Sequence, residues 1–369
     1  MLARVPSRLV LVVVVLLCWL TAHLWGLQGV QGSSVYLYAT SVLLAIGLYG
    51  STYGIDLAEA GRDRRLIITA VTVGVLLKAA IIGGVLFLAT QDPLFLLLGA
   101  AVAQIDPLSV AAILGDNRMS DRAKAILASW ASFDDPLTVV LVIYAAALAT
   151  DAFGLASHCD TQSTVAGLVT YGVTVAANLA LAGVAVAVWR LLKDRQRPLA
   201  YAILLALAAV AVWQFLMLGV AIAGLFIRPA WLASWVERLT QGALFVAGGL
   251  LGLLLVNGIS IGYGILLGVM AFVAQVVVGL LLTRGLSRTD RVHLALAQQN
   301  GITAIILSLR LEAQFVGSVA VVAPAILVTN VLHFVVNWVA DRFRSRLRLD
   351  SRPADEPAEE AGRSQPGRG

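Results

Sequence analysis

The sequence predicts an all-α polytopic membrane protein with about twelve transmembrane helices. This prediction depends on the composition, on a succession of long apolar runs and on the placement of the basic residues. Of the 369 residues, 60% are hydrophobic and 13% are charged, whereas soluble domains have about 45–50% and 25%. The mean hydropathy is +0.90. A water-soluble enzyme is therefore excluded, and little chain is left for an extramembrane domain.

Apolar runs broken by charged or turn residues mark the spans, because about 20 apolar residues cross the hydrocarbon core. The stretch from Pro198 to Ile227 is too long for one span, so we expect a short hairpin around Trp213. The first run has no small-residue cleavage site after it and is predicted to be a retained span. The twelve predicted spans lie near residues 8–26, 34–53, 66–90, 93–115, 122–149, 164–189, 198–212, 214–227, 239–256, 259–283, 292–309 and 316–340.

The basic residues indicate the orientation. In the twelve-span arrangement, 24 of the 26 lysines and arginines fall on one side, and cytoplasmic loops carry such an excess. We therefore predict a multi-pass protein of the cell (inner or plasma) membrane with cytoplasmic N- and C-termini. The net charge of +5 then reflects orientation and not nucleic-acid binding. The transmembrane domain is predicted over residues 1–343, and the polar tail 344–369 is predicted to be disordered and cytoplasmic.

Four ionisable side chains lie at mid-depth in the predicted spans: Lys78, Asp106, Asp134 and Asp135. Each costs about 2.5–3.5 kcal/mol to insert, so such groups face a wet cavity or one another. A structural salt bridge would explain Lys78 and one aspartate but would leave two carboxylates over. Three carboxylates against one amine give the membrane core a negative potential, which suits a cation.

Two of these aspartates directly precede a proline. Proline lacks an N–H and frees a carbonyl one turn earlier, so Pro107 and Pro136 are predicted to break their helices beside a cavity. Adjacent helical residues point about 100° apart, so Asp134 and Asp135 have different roles. One of them is expected to face an ion cavity with Asp106, while the other turns toward the buried amine.

An internal repeat of opposite topology supports a site at mid-depth. Residues 103–109, Ala-Gln-Ile-Asp-Pro-Leu-Ser, match residues 297–303, Ala-Gln-Gln-Asn-Gly-Ile-Thr, at an offset of 194 residues. The spans that carry the two segments run in opposite directions. The sequence therefore predicts inverted repeats, roughly residues 8–149 and 214–340, whose broken helices cross at the membrane midplane.

Polar residues occupy matching places in the two predicted repeats. Gly301 takes the place of Pro107 as the second helix-breaking residue. Asp106 and Asn300 lie where they would compensate the partial positive charge of half-helix N-termini. Near the same offset, Asp134 matches Thr329, Asp135 matches Asn330, and Lys78 falls close to Gln275.

Two histidines are assigned structural places. His333 shares a face of the last span with Asn330 and Asn337, and this face is expected to bind neighbouring helices together. His293 lies at the cytoplasmic mouth of the eleventh span and has the pKa range of a pH sensor. We expect it to be an ordinary solvated side chain.

The paired motifs resemble those of the monovalent cation:proton antiporter superfamily. Residues 105–107 (Ile-Asp-Pro) are similar to its Thr-Asp-Pro, and residues 134–135 (Asp-Asp) are similar to the acidic pair of its next span. The resemblance extends loosely over residues 34–340. It implies a core domain of two inverted repeats that slides against a dimerisation domain, a homodimer, and exchange of Na⁺ or K⁺ for H⁺.

Two departures from the family pattern affect the expected site. The family commonly carries a basic residue in the second repeat, where this sequence has Gln275 and Asn300. Lys78 occupies the pseudo-symmetric place in the first repeat, either as a relocated partner of Asp134 or as a sign of different coupling. Ile105 also replaces the threonine of the family motif and removes one hydroxyl.

The expected mechanism is competition between a cation and a proton at one carboxylate. Asp135 is predicted to bind either a dehydrated Na⁺ or K⁺ or a proton. Asp106 is the second carboxylate ligand expected for the cation, and Ser132 and freed backbone carbonyls are expected to supply further oxygen. A permanent Lys78–Asp134 pair would make exchange one-for-one, whereas proton release from Asp134 would make it electrogenic. The predicted ion- and proton-binding residues are Asp135, Asp134 and Asp106, and the supporting residues are Lys78, Ser132, Asn300, Thr303 and Gln275.

The same residues also bear on partners and on three other functions. The expected partners are the transported ions, the bilayer and a second copy, with no cofactor, no nucleic acid and no enzymatic activity. A sodium-coupled organic-anion symporter would need a basic pocket, for which only Lys78 is available. An intramembrane aspartyl protease would need two facing carboxylates, which Asp106 and Asp135 would supply. A sensor or scaffold needs no matched polar sites in inverted halves.

Overall fold

A computed structural model describes residues 7–27, 29–55, 61–107, 109–110, 119–155, 164–192 and 196–350. All regular structure in this part of the chain is helical, with thirteen helices in succession. Seven of the described helices are long and apolar enough to cross a membrane alone. The helices are α1 (Ser7–Trp25), α2 (Ser34–Tyr53), α3 (Arg64–Thr90), α4 (Leu94–Ala101), α5 (Asp121–Asp151), α6 (Thr164–Leu192), α7 (Arg197–Trp213), α8 (Met217–Phe226), α9 (Ala233–Leu254), α10 (Ile261–Leu282), α11 (Arg288–Ala295), α12 (Ile302–Glu312) and α13 (Ser318–Asp350).

The helices follow the predicted spans, with differences at breaks and ends. Two helices, α7 and α8, form the predicted hairpin and are joined by residues 214–216. The fourth predicted span ends its first helix at Ala101, and the eleventh is divided between α11 and α12. The last helix continues to Asp350, past the predicted start of the tail, and residues 351–369 lie outside the described residues. The total of twelve spans stays a prediction.

Close backbone approach joins the helices of each predicted repeat. A Cβ on Gly99 of α4 would overlap the backbone of Gly83 in α3. In the second half, a Cβ on Gly279 of α10 would come within 2.7 Å of the Cα of Ala295 in α11. Without a hydrophobic driving force in lipid, small residues at such contacts allow the van der Waals packing that holds membrane helices together. The same construction in both halves fits an internal repeat.

Contacts at the helix ends fix the relative directions of the two halves. At one end of the bundle, Phe95 at the start of α4 packs on Tyr263 at the start of α10, with ring centroids 5.3 Å apart. At the other end, Asp290 at the start of α11 accepts a hydrogen bond from Ser120 N at 2.9 Å, beside the start of α5. Since α11 folds back from α10, α4 and α11 run in opposite directions. The repeats are inverted, as predicted.

The second half of the eleventh predicted span lies at the centre of the molecule. Ten of the eleven residues of α12 are buried, because α2, α9 and α13 all pack around it. Tyr36 of α2 anchors its far end by donating a hydrogen bond from Oη to the carbonyl of Leu309 at 2.6 Å. The N-terminus of α12 is thereby held in the interior, next to the mid-depth aspartates.

Candidate functional site

Two non-helical segments, residues 102–106 and 296–301, cross in the interior. The backbone N–H of Asp106 donates to the carbonyl of Gln299 at 2.9 Å. The side-chain amide of Gln298 donates to the carbonyl of Gln104 at 2.8 Å. Each segment therefore satisfies part of the backbone of the other, which is how non-helical chain is tolerated at membrane depth. The predicted crossing of two broken helices is confirmed.

Asp135 lies at this crossing and is completely buried. Its Oδ2 accepts a hydrogen bond from the Thr303 hydroxyl at 2.9 Å. With the Gln104 amide oriented to satisfy both of its ends, Nε2 donates to Asp135 Oδ1 at 3.0 Å and Oε1 accepts from Ala304 N at 2.6 Å. Ser51 of α2 also approaches this carboxyl group. Asp135 thus links both broken helices through neutral donors.

Asp134 faces away from the crossing and toward α3. Its Oδ2 accepts hydrogen bonds from Lys78 Nζ at 2.7 Å and from the backbone N–H of Ile105 at 3.0 Å. Lys78 and Asp134 are both fully buried, and the Trp130 ring lies 5.5 Å from the ammonium. Of the two expected orientations of the acidic pair, the structure shows Asp134 with the amine and Asp135 at the crossing.

The helix that carries Lys78 has an irregular turn just before it. Residues Ala70–Gly74 form a π-helical turn inside α3, and Gly74 lies against the rings and side chains of Trp130 and Val278. Such turns are rare and occur frequently at functional sites. Here the extra residue in the turn sets the rotation of the following turn, which directs Lys78 inward.

Asp106 caps the helical turn that resumes at Pro107. Its Oδ2 accepts from Ser109 N at 2.8 Å, and Pro107 at the first helical position needs no donor partner. A Cβ at Gly301 would overlap the Asp106 carboxyl group, so a larger residue there would displace that carboxyl group. The negative charge of Asp106 lies within electrostatic range of Asp135.

Amides take the matching places in the second half. Asn330 of α13 accepts from Asn300 N at 3.1 Å and donates to Asn300 O at 2.9 Å. Gln275 is fully buried and donates from Nε2 to the carbonyl of Leu294 at 3.1 Å. His333 Nδ1 lies 2.7 Å from the carbonyl of Leu296. The polar face of α13 satisfies the unwound backbone of its own half, as expected of a face that binds helices together.

The structure differs from three expectations, which concern Pro136, Ser132 and His293. The helix break predicted at Pro136 is wrong, because α5 continues through it as one helix. Ser132 makes no hydrogen bond to the three aspartates within the described residues and is 8% exposed. His293 is also 8% exposed, so it is buried and not solvated. The break at mid-depth precedes Pro107, over residues 102–106.

Gln104 is a site residue that the sequence arguments missed. It is 1% exposed and donates to Asp135. The signal was present in the repeat, since Gln104 matches Gln298, which spans the crossing from the other side. Ser51 lies on α2, outside both repeat motifs, and no pattern pointed to it.

Outside the membrane, carboxylates tie together the ends of α3, α5 and α11. The Arg122 guanidinium donates to Asp63 at 2.9 Å and holds the pKa of that carboxyl below its usual value. Burial raises the pKa of Asp290, but hydrogen bonds from Ser120 N, Ser120 Oγ and Ser287 Oγ outweigh it and leave the pKa lowered. These contacts bind the three helix ends into one unit.

A family model described as "Sodium/hydrogen exchanger, transmembrane" matches residues 3–340. The chain belongs to the sodium/hydrogen exchanger family. Two structures of the sodium proton antiporter MjNhaP1 from Methanocaldococcus jannaschii are similar to it. The structure at pH 8 has a TM-score of 0.63 at 15% identity over 86% of this chain and 87% of that chain.

The second MjNhaP1 structure, an electron-microscopy map, has a TM-score of 0.59 at 16% identity and covers 88% of this chain and 87% of that chain. No curated protein matches the chain significantly. At these identities the structural similarity shows a shared fold only. This fold agrees with the inverted repeats and crossed helices described above. Membership of the sodium/hydrogen exchanger family makes the chain an integral membrane cation/proton antiporter and not an enzyme.

Proposed function

We propose that this sodium/hydrogen exchanger family member exchanges Na⁺ or K⁺ for H⁺ by alternating access, with competition at Asp135. One observation carries the proposal: Asp135 is completely buried where the broken helices cross, and its partners Thr303 and Gln104 are neutral. Asp134, by contrast, already has the ammonium of Lys78. Of the two adjacent carboxylates, Asp135 is the one that has a charge left to neutralise.

Desolvation makes an isolated buried carboxylate unfavourable. Asp135 is neutralised either by a proton or by a cation, and one excludes the other. In the present arrangement Gln104 Nε2 donates to Oδ1 and Thr303 Oγ1 donates to Oδ2, so both oxygens accept hydrogen bonds. This hydrogen bonding fits the deprotonated carboxylate, the form that a cation binds.

Oxygen atoms around Asp135 complete a site for a hard cation. Asp106 supplies the second carboxylate, and its negative charge lies within range of Asp135. The Thr303 hydroxyl lies on Asp135 Oδ2 and is the further oxygen ligand that we propose. Carbonyl groups of the non-helical segments are proposed to supply others, as carbonyls do in cation filters. Ser132 has no contact that supports the ligand role predicted for it.

The stoichiometry follows from the second aspartate. Asp134 is held by Lys78 and by Ile105 N, so it has two donors that must be lost before it takes part in proton transfer. We propose that this pair persists during transport. Exchange is then one cation for one proton through Asp135 and moves no net charge.

The rival functions find less support in the same contacts. An organic-anion symporter needs a cationic group free to bind the anion, and the ammonium of Lys78 is occupied by Asp134.

The proposed location is the cell membrane with both termini cytoplasmic, supported by the one-sided basic residues. The homodimer and the dimerisation domain are proposed from the family resemblance alone.

The test uses purified protein in vesicles with an acid interior and an internal pH-sensitive dye. Addition of Na⁺, K⁺ or Li⁺ to the wild type is expected to dissipate the gradient, and the order of the cations gives selectivity. Asp135→Asn removes the competing charge and is expected to abolish the response. Asp63→Asn is the matched control, since Asp63 lies outside the membrane and pairs with Arg122.

Undiminished exchange by Asp135→Asn in correctly folded protein would contradict the proposed role of Asp135. A sodium-dependent uptake of labelled organic anion without a pH change would favour symport, and cleavage of membrane peptides would favour a protease. Repeating the assay with and without an ionophore that clamps the membrane voltage tests the stoichiometry. A rate that depends on voltage would contradict one-for-one exchange.

A further inference from the structure

A cavity of about 180 Å³ lies between α2, α6, α7 and α8, away from the aspartates. Apolar and aromatic side chains line it, including Tyr49, Leu204, Ala208 and Trp231. Ala208 and Trp231 are exposed, so the cavity opens on the side of the bundle. No step of ion exchange uses this cavity.

The wall of the cavity is built by tyrosine hydrogen bonds to one connecting segment. Tyr49 donates to the carbonyl of Ile227 at 2.8 Å, and Tyr53 donates to the carbonyl of Pro229 at 2.7 Å. At the mouth, Trp231 Nε1 donates to Tyr201 Oη at 2.9 Å. Tryptophan and tyrosine concentrate where a protein meets the lipid headgroups. The Trp231–Tyr201 pair at the mouth is of the kind expected at headgroup level.

One arginine lies at the same end of the bundle. Arg228 lies between two residues of the cavity wall and donates from Nη2 to Thr52 O at 3.3 Å. Its Nε is buried and has no hydrogen-bond partner among the described residues. Trp189 packs on Tyr201 with ring centroids 6.0 Å apart, which adds a third aromatic side chain to the mouth. A buried guanidinium N–H without an acceptor costs free energy unless a ligand supplies one.

We propose that this cavity binds one anionic phospholipid, with an acyl chain in the apolar space and the phosphate group near Arg228. Basic pockets between transmembrane helices bind anionic headgroups by this chemistry. A helix of a second copy is about 10–12 Å across and would cover the mouth of this cavity of about 180 Å³, whereas a flexible acyl chain can enter it. A lipid chain therefore fits the space better than a second protein chain.

The experiment measures lipid retention on the purified full-length protein by native mass spectrometry. Phosphatidylglycerol is compared with phosphatidylcholine of the same chain length. The wild type is expected to retain phosphatidylglycerol preferentially. Arg228→Gln is expected to weaken its binding about five-fold, the effect of one basic residue at a headgroup, and Arg228→Lys is expected to restore most of it. Ala208→Phe fills the cavity and is expected to remove binding.

The matched control is Arg238→Gln, which removes an arginine that stacks on Trp235, outside the cavity. It is expected to leave retention unchanged. Equal retention of both lipids, or an equal loss with Arg238→Gln, would overturn the proposal. If Ala208→Phe separates dimers into monomers and leaves lipid retention unchanged, a second copy occupies this surface and the lipid proposal is wrong. These readouts do not depend on transport activity.

Discussion

Replacing Lys78 by methionine tests whether the buried ion pair holds the fold together. The pair has an N–O distance of 2.7 Å and both side chains are 0% exposed. Removing one partner of such a pair costs about 3–5 kcal/mol, because the other charge is left buried without compensation. The loss of the cation–π contact with Trp130 belongs to the same cost. Lys78→Met is therefore expected to lower the melting temperature strongly.

The double variant Lys78→Met/Asp134→Asn separates this cause from simple loss of packing. The asparagine oxygen still accepts from Ile105 N, which donates at 3.0 Å in the wild type, and no unpaired charge remains. Replacing a whole buried pair is often neutral, so we expect at least half of the stability to return. The coupling between the two sites is then about 2 kcal/mol or more.

The assay is thermal unfolding of the purified protein in one detergent at one protein concentration. Lys124→Met is the matched control, because Lys124 pairs with Asp121 across 3.8 Å and Asp121 is fully exposed. Such pairs contribute about 0–1 kcal/mol. If the double variant is no more stable than Lys78→Met, or if the two losses add, the unpaired carboxylate is not the cause and the reasoning fails.

Further variants probe the crossing and the helix ends. Gly301→Ala is expected to cost about 1–3 kcal/mol and to abolish exchange, because its Cβ meets Asp106; Gly262→Ala, with open space around its Cβ, is the control in the same melting and vesicle assays. Gln104→Ala is expected to lower the apparent cation affinity and leave the melting temperature within a few degrees. Asp290→Asn is expected to cost about 1–3 kcal/mol at pH 7. Folding lowers the pKa of Asp290, so its stabilisation is present above about pH 4 and fades as the pH falls; a difference in melting temperature that is constant from pH 7 to 3 would contradict this.

The charged part of the site was predictable because placing a charged side chain in a bilayer costs free energy. Four mid-depth ionisable residues in so apolar a chain had to share an interior, and helical geometry required Asp134 and Asp135 to diverge. Which of them meets Lys78 was not predictable, since it depends on the rotation of α3, which a π-helical turn sets. The match of residues 103–109 with 297–303 predicted the crossing, because corresponding residues of two repeats take equivalent positions in the fold.

The sequence-based predictions were wrong or incomplete where the packing of neighbouring helices determines the local structure. Pro136 removes one hydrogen bond from α5, but packing on several sides keeps the helix continuous, as membrane bundles allow. His293 was expected to be solvated at the mouth of a span, yet it lies in the last turn of α11, where His293, Leu294 and Ala295 are all buried. Gln104 carries no charge, so its burial cost too little to stand out in the sequence. Only its orientation toward Asp135 makes it part of the site.

The two halves share one scaffold but not one distribution of charge. The ionisable groups Lys78, Asp106, Asp134 and Asp135 all belong to the first half, and amides and hydroxyls stand in their places in the second. In a carrier that alternates as proposed, the halves exchange shapes between the two end states. When the two halves exchange conformations, the charged residues stay in the first half. The inward-open and outward-open states of the empty carrier therefore have different free energies. Such a carrier has a preferred resting side, and reversing it would require moving the charges from one half to the other.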